Sequence, residues 1–450
     1  MSNQVLEKRM NNLRVLIISH GHPDFSLGGG EIAAYSHWEE LRKRGIEAML
    51  VCRVDRSPEH AGAPFFARSA DGLEVLFSPP GVNHFRHSQP QRDVVYRDFR
   101  SLLERFRPSV VHFHHYAHLG LELIREVRKY DAKVPIVLTL HEFLAICHAQ
   151  GQMLKSNGTL CQKAAPLDCH VCFPHISPQD FFMREMFVKS FLNLADLFIC
   201  PSQFLRDRYI AWGLSPERME VLENGQPPSN VPAETATDMQ HKRFVALGQI
   251  SHRKGTLVLL DAARLLPKKL RKEIRIEIHG SMQYAENDFK TQIEQSLKGL
   301  EETVRVCGPY RPQDVTSIMR RNGWVVVPSI WWENSPLVIQ EAFAAGRPVI
   351  CSGIGGMAEK VAHGVSGIHF RVNNAADLAA RMEECAKSPD LWRRLCSALP
   401  QPPTIQQTVD QLLRFYDEKQ ASARLLSQGR TGKETGISRN AVSQRVPAAS

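Results

Sequence analysis

Two glutamates bracket the start of a predicted helix, a pattern that suits an anionic ligand. Glu333 comes just before the helix, and Glu341 lies about a turn and a half inside it. Ser335 is a favourable N-cap, and Pro336 is a favourable first helical residue. The free backbone N–H groups of Asn334–Leu337 would then point outward and bind an anion such as a phosphate. The alternative interpretation is a surface helix with two solvated carboxylates.

A basic turn earlier in the chain could bind the same kind of anionic ligand. The segment Gly248–Gly255 follows an apolar strand and opens a helix, and it contains Gln249, Arg253 and Lys254. Glycine permits close approach of the backbone to a ligand, and the two cationic side chains could neutralise a diphosphate. By itself the turn is a weak signal, because a basic turn between a strand and a helix is commonly just solvated.

A glycine loop opens the first predicted helix of the chain. Gly28, Gly29 and Gly30 precede Glu31 directly. Glycines at this point would let an oxyanion or a sugar approach the helix N-terminus. A flexible loop accounts for the same residues equally well.

Four cysteines are concentrated in one stretch with little periodicity. The candidate metal ligands are Cys147, Cys161, Cys169 and Cys172. Four thiols that include one Cys-x-x-Cys pair suit a tetrahedral structural zinc, and the insertion 147–178 needs some tie. Against zinc, the first gap is long and there is no second close pair, so four reduced thiols remain the alternative.

Apolar runs of strand length alternate with helical patterns along most of the chain. This rhythm predicts right-handed crossovers and parallel sheets with helices on both faces. A stretch rich in Pro, Thr and Ala at 226–241 predicts a hinge between two α/β domains. The predicted units are a first domain at 13–225, a second domain at 242–400, a closing helix at 404–419 and a disordered basic tail at 421–450. Ligands of open parallel sheets bind at the carboxyl ends of the strands, which is where the candidate residues fall.

Composition limits the class of protein. The chain has 450 residues, of which 43% are hydrophobic and 23% charged, as in a packed globular protein. There is no uncharged apolar run of about 18 residues and no signal-peptide core at the start, so we expect neither a membrane span nor secretion. Ten scattered cysteines favour a reducing cytoplasm. The net charge of +9 is diffuse; it suits an anionic ligand or a peripheral contact with the inner face of a membrane, and it does not indicate nucleic acid.

Together these elements resemble the glycosyltransferases of family 4, and the resemblance covers nearly all of 13–420. It rests on the glycine loop, on His141 within Thr139-Leu140-His141-Glu142, on the Asn224-Gly225 turn and on the basic turn. The most specific element is the glutamate pair with seven residues between, followed by Ala-x-x-Ala-Gly-x-Pro.

The resemblance implies the GT-B fold, in which two Rossmann-like parallel-sheet domains face each other across a cleft. A C-terminal helix crosses back to the first domain in that fold. The activity implied is a retaining hexosyltransferase that moves a sugar from a nucleotide-diphosphate sugar to a hydroxyl of a glycan or lipid-linked acceptor. No cofactor is required for catalysis in the family.

The resemblance also implies roles for individual residues. Lys254, with Arg253 or the helix N-terminus at Asn334–Leu337, would neutralise the diphosphate, and Glu341 would bind the ribose hydroxyls. Glu333 would face the donor sugar, while His141 and the glycine loop would reach the reaction centre from the first domain. Many relatives have Arg where Gln249 stands, so more of the charge should come from Arg253 and Lys254.

Other functions stay open on sequence grounds. The same fold would suit a sugar-nucleotide epimerase or a phosphorylase, and a zinc-stapled binding protein is a non-enzymatic alternative. The histidines of His112-x-His114-His115 would suit a metallohydrolase, but no carboxylate stands near them at ligand spacing. The amphipathic stretch Phe181–Leu194 is expected to pack in the core rather than to anchor the protein to a membrane.

Overall fold

The structure is a computed structural model, and two parallel α/β sheets dominate it, which confirms the predicted fold class. In the described part of the chain, no helix combines the length and the apolar content needed to cross a membrane. The residues described are 12–26, 28–55, 64–79, 81–90, 92–227, 240–283 and 285–431.

The first sheet forms the core of the first domain. Its strands are β1 (Arg14–Ser19), β2 (Glu47–Arg53), β3 (Phe65–Ala67), β4 (Glu74–Phe77), β5 (Val110–Phe113), β6 (Ile136–Thr139), β7 (Leu197–Cys200) and β8 (Met219–Val221). The strand order is β3-β4-β2-β1-β5-β6-β7-β8, and only β3 runs antiparallel to its neighbour. The helices between them are α1 (Gly29–Lys43), α2 (Arg92–Phe106), α3 (Glu122–Tyr130), α4 (Pro166–Cys172), α5 (Pro178–Leu192) and α6 (Gln203–Trp212).

The second sheet is parallel throughout. Its strands are β9 (Arg243–Leu247), β10 (Arg275–His279), β11 (Val304–Gly308), β12 (Trp324–Val327), β13 (Val349–Ser352) and β14 (Gly367–Phe370). They are ordered β11-β10-β9-β12-β13-β14. The accompanying helices are α7 (Thr256–Leu265), α8 (Lys268–Glu273), α9 (Asn287–Leu297), α10 (Val315–Arg320), α11 (Leu337–Ala344), α12 (Gly355–Lys360), α13 (Ala375–Lys387) and α14 (Pro389–Ser397).

The central strands are apolar because helices cover both faces of each sheet. Val15, Leu16, Ile17 and Ile18 of β1 are all fully buried, and β12 (Trp-Val-Val-Val) is buried along its whole length. The strand order reverses between β1 and β5 in the first sheet and between β9 and β12 in the second. Such reversals leave a crevice beyond the carboxyl ends of the strands. The basic turn follows β9, and the segment containing Glu333 follows β12, so both lie at such a crevice.

The last helix, α15 (Ile405–Thr431), packs against the first sheet and not against the second. Val409, Leu412 and Tyr416 are fully buried in a cluster with the apolar residues of β1 and β2. The Tyr416 hydroxyl lies 2.6 Å from His112 Nδ1 on β5, which ties the end of the chain to its beginning.

The helix is longer than the sequence predicted. We expected it to end near 419 and the residues from 421 to be disordered, but the helix continues through 431. The predicted disorder is therefore wrong for 421–431. Residues 421–431 need no buried apolar side chains of their own to be helical, because they extend a helix that already packs against the first sheet. The rest of the predicted tail, 432–450, lies outside the described residues, as does 228–239 of the predicted hinge.

The cysteine-rich insertion is more ordered than its composition indicated. It contains the helix α4 and a bridge between Leu154 and Leu160. The following helix, α5, is only partly a core element, since Phe181 and Val188 are buried whereas Phe182, Met183 and Met186 are more than half exposed. The expectation that this stretch packs in the core therefore holds for one face alone.

Candidate functional site

A cleft of about 530 Å³ lies between the two domains. It is bounded by the glycine loop of the first domain and by the turns that follow β9 and β12 in the second. The predicted site residues that line it are Gly29, Gly30, His141, Gln249, Lys254, Glu333, Asn334, Ser335, Pro336, Leu337 and Glu341. Residues from distant parts of the sequence thus converge on one space.

Three glycines allow the close approaches that shape this cleft. Gly255 has φ +70°, and a Cβ there would lie 1.9 Å from the carbonyl oxygen of Pro328, so only glycine fits between the basic turn and the loop after β12. A Cβ on Gly30 would lie 3.3 Å from the His141 ring, and one on Gly29 would lie 3.3 Å from Leu337. The glycine loop therefore touches both the first-domain histidine and the second-domain helix.

Lys254 and Glu333 form an ion pair within the cleft. Lys254 Nζ lies 2.6 Å from Glu333 Oε1, which also accepts hydrogen bonds from Ser329 Oγ (2.8 Å) and Trp331 Nε1 (2.9 Å). Burial alone would raise the pKa of Glu333, but Lys254 and the two neutral donors hold it below its ordinary value. Glu333 is therefore a buried carboxylate that stays ionised and is held in one position.

The N-terminus of α11 faces the same space. The helix begins at Leu337, with Pro336 at the N-cap in an extended conformation and no side-chain capping bond. The prediction that Ser335 caps the helix is wrong by one residue, because proline has no N–H and its ψ of 117° stays outside the helical range. Ser335 Oγ is instead buried with no hydrogen-bond partner among the described residues. A free buried hydroxyl beside free helix N–H groups favours binding of an anion.

Glu341 lies on α11 at the far end of the cleft. Burial raises the pKa of its carboxyl to about 7. Tyr310, after β11, lines the same end, and burial together with Glu341 raises the pKa of its phenol to about 12. Glu341 is thus poised between its neutral and ionised forms near neutral pH.

His141 is held between the domains. Its carbonyl oxygen accepts a hydrogen bond of 3.0 Å from Asn334 Nδ2, and its ring Nε2 lies 3.2 Å from His114 Nδ1. Burial, with the nearby histidines, lowers the pKa of His141 well below its ordinary value. The His141 imidazole is therefore neutral at physiological pH and able to donate or accept one hydrogen bond.

The histidines of β5 do not form a metal site. The His112 ring bonds to Tyr416 and to Thr139 Oγ1 (2.7 Å), and the His114 ring bonds to His37 (3.2 Å) and to His141. Both rings thus use their two nitrogens in hydrogen bonds within the protein. The ring nitrogens of His112 and His114 are therefore not available to bind the metal of a metallohydrolase.

A larger cavity of about 1150 Å³ adjoins the cleft on the side of the first domain. Glu142 lines both spaces and so marks their junction. Burial raises the pKa of Glu142 to about 8, and its Oε1 lies 3.2 Å from His115 Nε2. The histidines that line the cavity are His20, His84, His87, His115, His118, His148 and His252.

Most of these histidines are uncharged. Burial is the largest cause that lowers the pKa of His20, His87 and His115 to about 3 and that of His118 to about 4. Strain is also concentrated around this cavity, since His87, His118 and Gln150 have φ of 53°, 60° and 51°. Non-glycine residues at positive φ are often found at functional sites.

Arg253 points into this second cavity and away from the 530 Å³ cleft. Its guanidinium lies 3.4 Å from Gln150 Oε1 and 5.9 Å from the centre of the Trp331 ring. Of the two cations expected to compensate for Gln249, only Lys254 therefore lies in the cleft with the two glutamates in this structure.

The four cysteines proposed as metal ligands border a third, small cavity. Those lining it are Cys147, Cys161, Cys169 and Cys172. All four are free thiols. Over the described ranges, the group of possible ligands whose atoms all lie within 4.8 Å of one another is a different one, made up of Glu277, His279 and Cys307. The four cysteines line one space, but no three of their sulfurs lie within 4.8 Å of one another.

Sequence reasoning did not identify several residues that the structure places at these sites. Glu142, Tyr310 and His20 were missed. Glu142 could have been found, because it directly follows His141 at the end of β6. Tyr310 and His20 had no local signal, since each reaches its site only through the packing of strands that are distant in sequence.

Two family models match consecutive parts of the chain. The model described as "Glycosyltransferase Family 4" matches residues 27–229, and the model described as "Glycosyl transferases group 1" matches residues 229–398.

Curated relatives and solved structures agree with these matches. A D-inositol 3-phosphate glycosyltransferase of Nocardiopsis dassonvillei is 30% identical over 179 residues, which is 38% of this chain and 41% of the relative. The chain thus spans about two fifths of that relative. An enzyme of the same name from Nocardia farcinica is 24% identical over 420 residues, covering 87% of this chain and 85% of the relative. The structure of Anabaena Alr3699/HepE in complex with UDP and glucose has a TM-score of 0.63 at 18% identity and covers 90% of this chain and 100% of that chain. At that identity, the likeness shows the GT-B glycosyltransferase fold alone.

Proposed function

Because the chain belongs to the glycosyltransferase group that these two models describe, we propose that it transfers a sugar from a nucleoside diphosphate sugar to an acceptor hydroxyl, with retention of configuration. The donor would lie in the 530 Å³ cleft between the domains, against the turns of the second, and the acceptor in the adjoining cavity, against the histidines of the first. Glu142 at the junction would then lie close to the reaction centre.

The observation that carries this proposal is the anion site in the cleft. Lys254, the N-terminus of α11 and the unpartnered Ser335 hydroxyl converge on one space that Glu333 and Glu341 flank. A diphosphate satisfies the donors, and the carboxylates suit the hydroxyls of a ribose and a sugar. A uridine nucleotide is the first donor to test, since a protein of similar fold binds UDP.

The proposed chemistry rests on electrostatics and positioning. The bond between the anomeric carbon and the phosphate oxygen breaks, and the acceptor oxygen bonds to the same face of that carbon. The acceptor proton passes to the departing diphosphate. Lys254 and the helix N-terminus would stabilise the negative charge that develops on the leaving group, and Glu333 would stabilise the positive charge on the sugar. The neutral His141 ring would orient a sugar hydroxyl. The reaction proposed requires no cofactor.

The second cavity indicates the class of acceptor. A neutral imidazole carries one hydrogen-bond donor and one acceptor, and ring nitrogens left without a partner among the described residues, such as the buried His20 Nδ1, suit a polyhydroxylated molecule. We therefore propose a glycan or glycan-lipid acceptor. The exposed Phe182, Met183 and Met186 of α5 would support a peripheral contact of a cytoplasmic protein with the membrane if the acceptor is lipid-linked.

The experiment begins with a screen of nucleotide sugars for protection against thermal unfolding, followed by donor kinetics of variants. Lys254→Ala should raise the donor KM and lower kcat together, by about 10- to 100-fold in kcat/KM, because the lost charge acts on both bound and departing phosphates. Lys268→Ala, an exposed lysine on α8, is the matched control and should behave as the wild type.

Three results would contradict the proposal. Unchanged donor affinity in Lys254→Ala would show that the donor does not bind in the assigned cleft. Formation of an isomeric nucleotide sugar without an acceptor would indicate an epimerase instead. Sugar release that depends on inorganic phosphate would indicate a phosphorylase.

A further inference from the structure

The cysteine-rich insertion raises the question of what holds it together. Its helix α4 has only seven residues and no buried side chain, and its Leu167 and Val171 are each 72% exposed. Isolated helices of this length are unstable in water, and this one has little apolar contact to compensate. Something other than a hydrophobic core must therefore stabilise α4.

The only face of α4 that turns inward is the one that carries thiols. Cys169 and Cys172 line the small cavity from α4, while Cys147 and Cys161 line it from the two chain segments before α4. The cavity is enclosed further by Met153, Ala164 and Phe181. Three separate stretches of chain thus present sulfur to the same space.

A buried cation beside the cluster lacks a matching anion. Arg184 of α5 is 3% exposed and donates to the carbonyl oxygens of Leu144 (2.6 Å), Ala145 (2.7 Å) and Phe85 (2.8 Å). Within the described ranges it forms no ion pair with a carboxylate. The Ala145 carbonyl that it binds lies two residues before Cys147 in the sequence. A buried charge is costly without a counter-charge, so negative charge nearby would be favourable.

We propose that Cys147, Cys161, Cys169 and Cys172 bind one structural zinc ion, which fastens α4 to the first domain. A Zn²⁺ ion with four thiolates carries a net negative charge and would balance Arg184. Each thiol loses its proton to the solvent as its sulfur bonds to zinc and displaces a water. The side chains must rotate inward to reach the Zn–S distance of about 2.3 Å, because the four sulfurs are farther apart in this structure.

The zinc would also shape the acceptor side of the molecule. His148, Gln150 and Phe173 belong to the same insertion and line the 1150 Å³ cavity. The carbonyl oxygen of Cys161 accepts a hydrogen bond of 2.9 Å from Trp332 Nε1, the residue before Glu333. A loosened insertion would therefore disturb the 1150 Å³ cavity and, through Trp332, the 530 Å³ cleft as well.

Metal content of the full-length chain tests this proposal directly. Protein produced without a histidine tag in zinc-containing medium should hold about one zinc per chain. Cys169→Ser and Cys161→Ser should lose it. Cys307→Ser is the matched control, because Cys307 belongs to the separate Glu277, His279 and Cys307 group, and it should keep the zinc.

Two measurements on the wild type keep the test decisive even if a cysteine variant fails to fold. Cobalt in place of zinc should give a thiolate-to-metal charge-transfer band together with the intense visible bands of a tetrahedral site. The four cysteines should resist alkylation until a chelator is added, as mapped by mass spectrometry. The proposal is overturned if the protein binds neither metal, or if Cys307→Ser loses the zinc while Cys169→Ser retains it.

Discussion

The protonation state of Glu341 should control the affinity for the donor. Burial raises the pKa of this carboxyl to about 7, so both forms are populated near neutral pH. Ribose hydroxyls donate hydrogen bonds, and an ionised carboxylate accepts them more strongly than a neutral acid does. The proposed function therefore predicts that donor binding strengthens as pH rises through 7.

The size of the effect follows from the pKa. With a pKa of about 7, about one tenth of Glu341 is ionised at pH 6 and about nine tenths at pH 8. If only the ionised form binds the ribose, the Kd should fall about tenfold between these values. Titration calorimetry with UDP-glucose would measure this, because its diphosphate diester does not itself titrate in this range. Glu341→Gln should bind weakly and nearly independently of pH.

A second readout needs no ligand. The folded state holds the Glu341 proton more tightly than the unfolded state, so stability should fall as pH rises from about 4.5 to about 7, by roughly 3 kcal/mol at most. Glu341→Gln should remove that part of the slope.

Two variants separate Glu341 from other titrating groups. Exposed Glu294→Gln should keep both wild-type profiles. Glu142, whose pKa burial raises to about 8, is the main competitor in this range. A donor-binding slope that persists in Glu341→Gln and disappears in Glu142→Gln would refute the assignment of the ribose to Glu341.

Two further predictions concern the closing helix. Truncation after Gln401 should lower the Tm by more than about 10 °C or prevent folding, because it removes Val409, Leu412 and Tyr416, whose burial stabilises the fold by roughly 1.5–3 kcal/mol each. Truncation after Gln420 should leave the free energy of unfolding almost unchanged. Equal stability of the two truncated proteins would contradict the packing of α15 on the first sheet. Tyr416→Phe should cost about 1–3 kcal/mol in denaturant unfolding, since it leaves the buried His112 Nδ1 unpaired, whereas a cost no larger than that of Tyr130→Phe would refute this role.

The fold was predictable because its signals are local. Continuous apolar runs such as those of β1 and β12 arise when helices cover both faces of a parallel sheet. The partners of α15 were less accessible, because the bond between Tyr416 and His112 joins residues that are 304 positions apart. The end of α15 was predicted too early because the residues after 420 have few apolar side chains. A helix that is packed against the domain before that point can nevertheless continue through them.

The position of the cleft was predictable from the residues that follow parallel strands. Lys254 and Glu333 follow parallel strands and therefore meet at the carboxyl edge of the second sheet. Arg253, one residue earlier, points into the other cavity, because neighbouring side chains on a turn project differently. Residue type alone could not distinguish these two cations. Nor could it show that burial lowers the pKa of His20 and His115 beside the 1150 Å³ cavity, since that burial depends on the tertiary packing.

The contacts across the cleft indicate how the two domains work together. Several are polar bonds: Asn334 Oδ1 accepts from Ser202 Oγ (2.5 Å), and the Glu359 carboxylate accepts from the backbone N–H of Gln203 (2.8 Å) and of Phe204 (2.7 Å). Trp332 also packs against Phe204 of the first domain. Interfaces that include many polar bonds permit relative motion of domains.

Asn334 connects this interface to the chemistry. It bonds to the first domain through Ser202 and the His141 carbonyl, and it precedes the unpartnered Ser335 at the start of α11. An anion bound at α11 would therefore act on the residue that joins the domains, and under the proposed function this would couple donor binding to the position of His141. Transfer requires donor and acceptor to meet in one geometry, so a cleft that closed through the donor's own binding site would bring the acceptor side into place only when the donor is present.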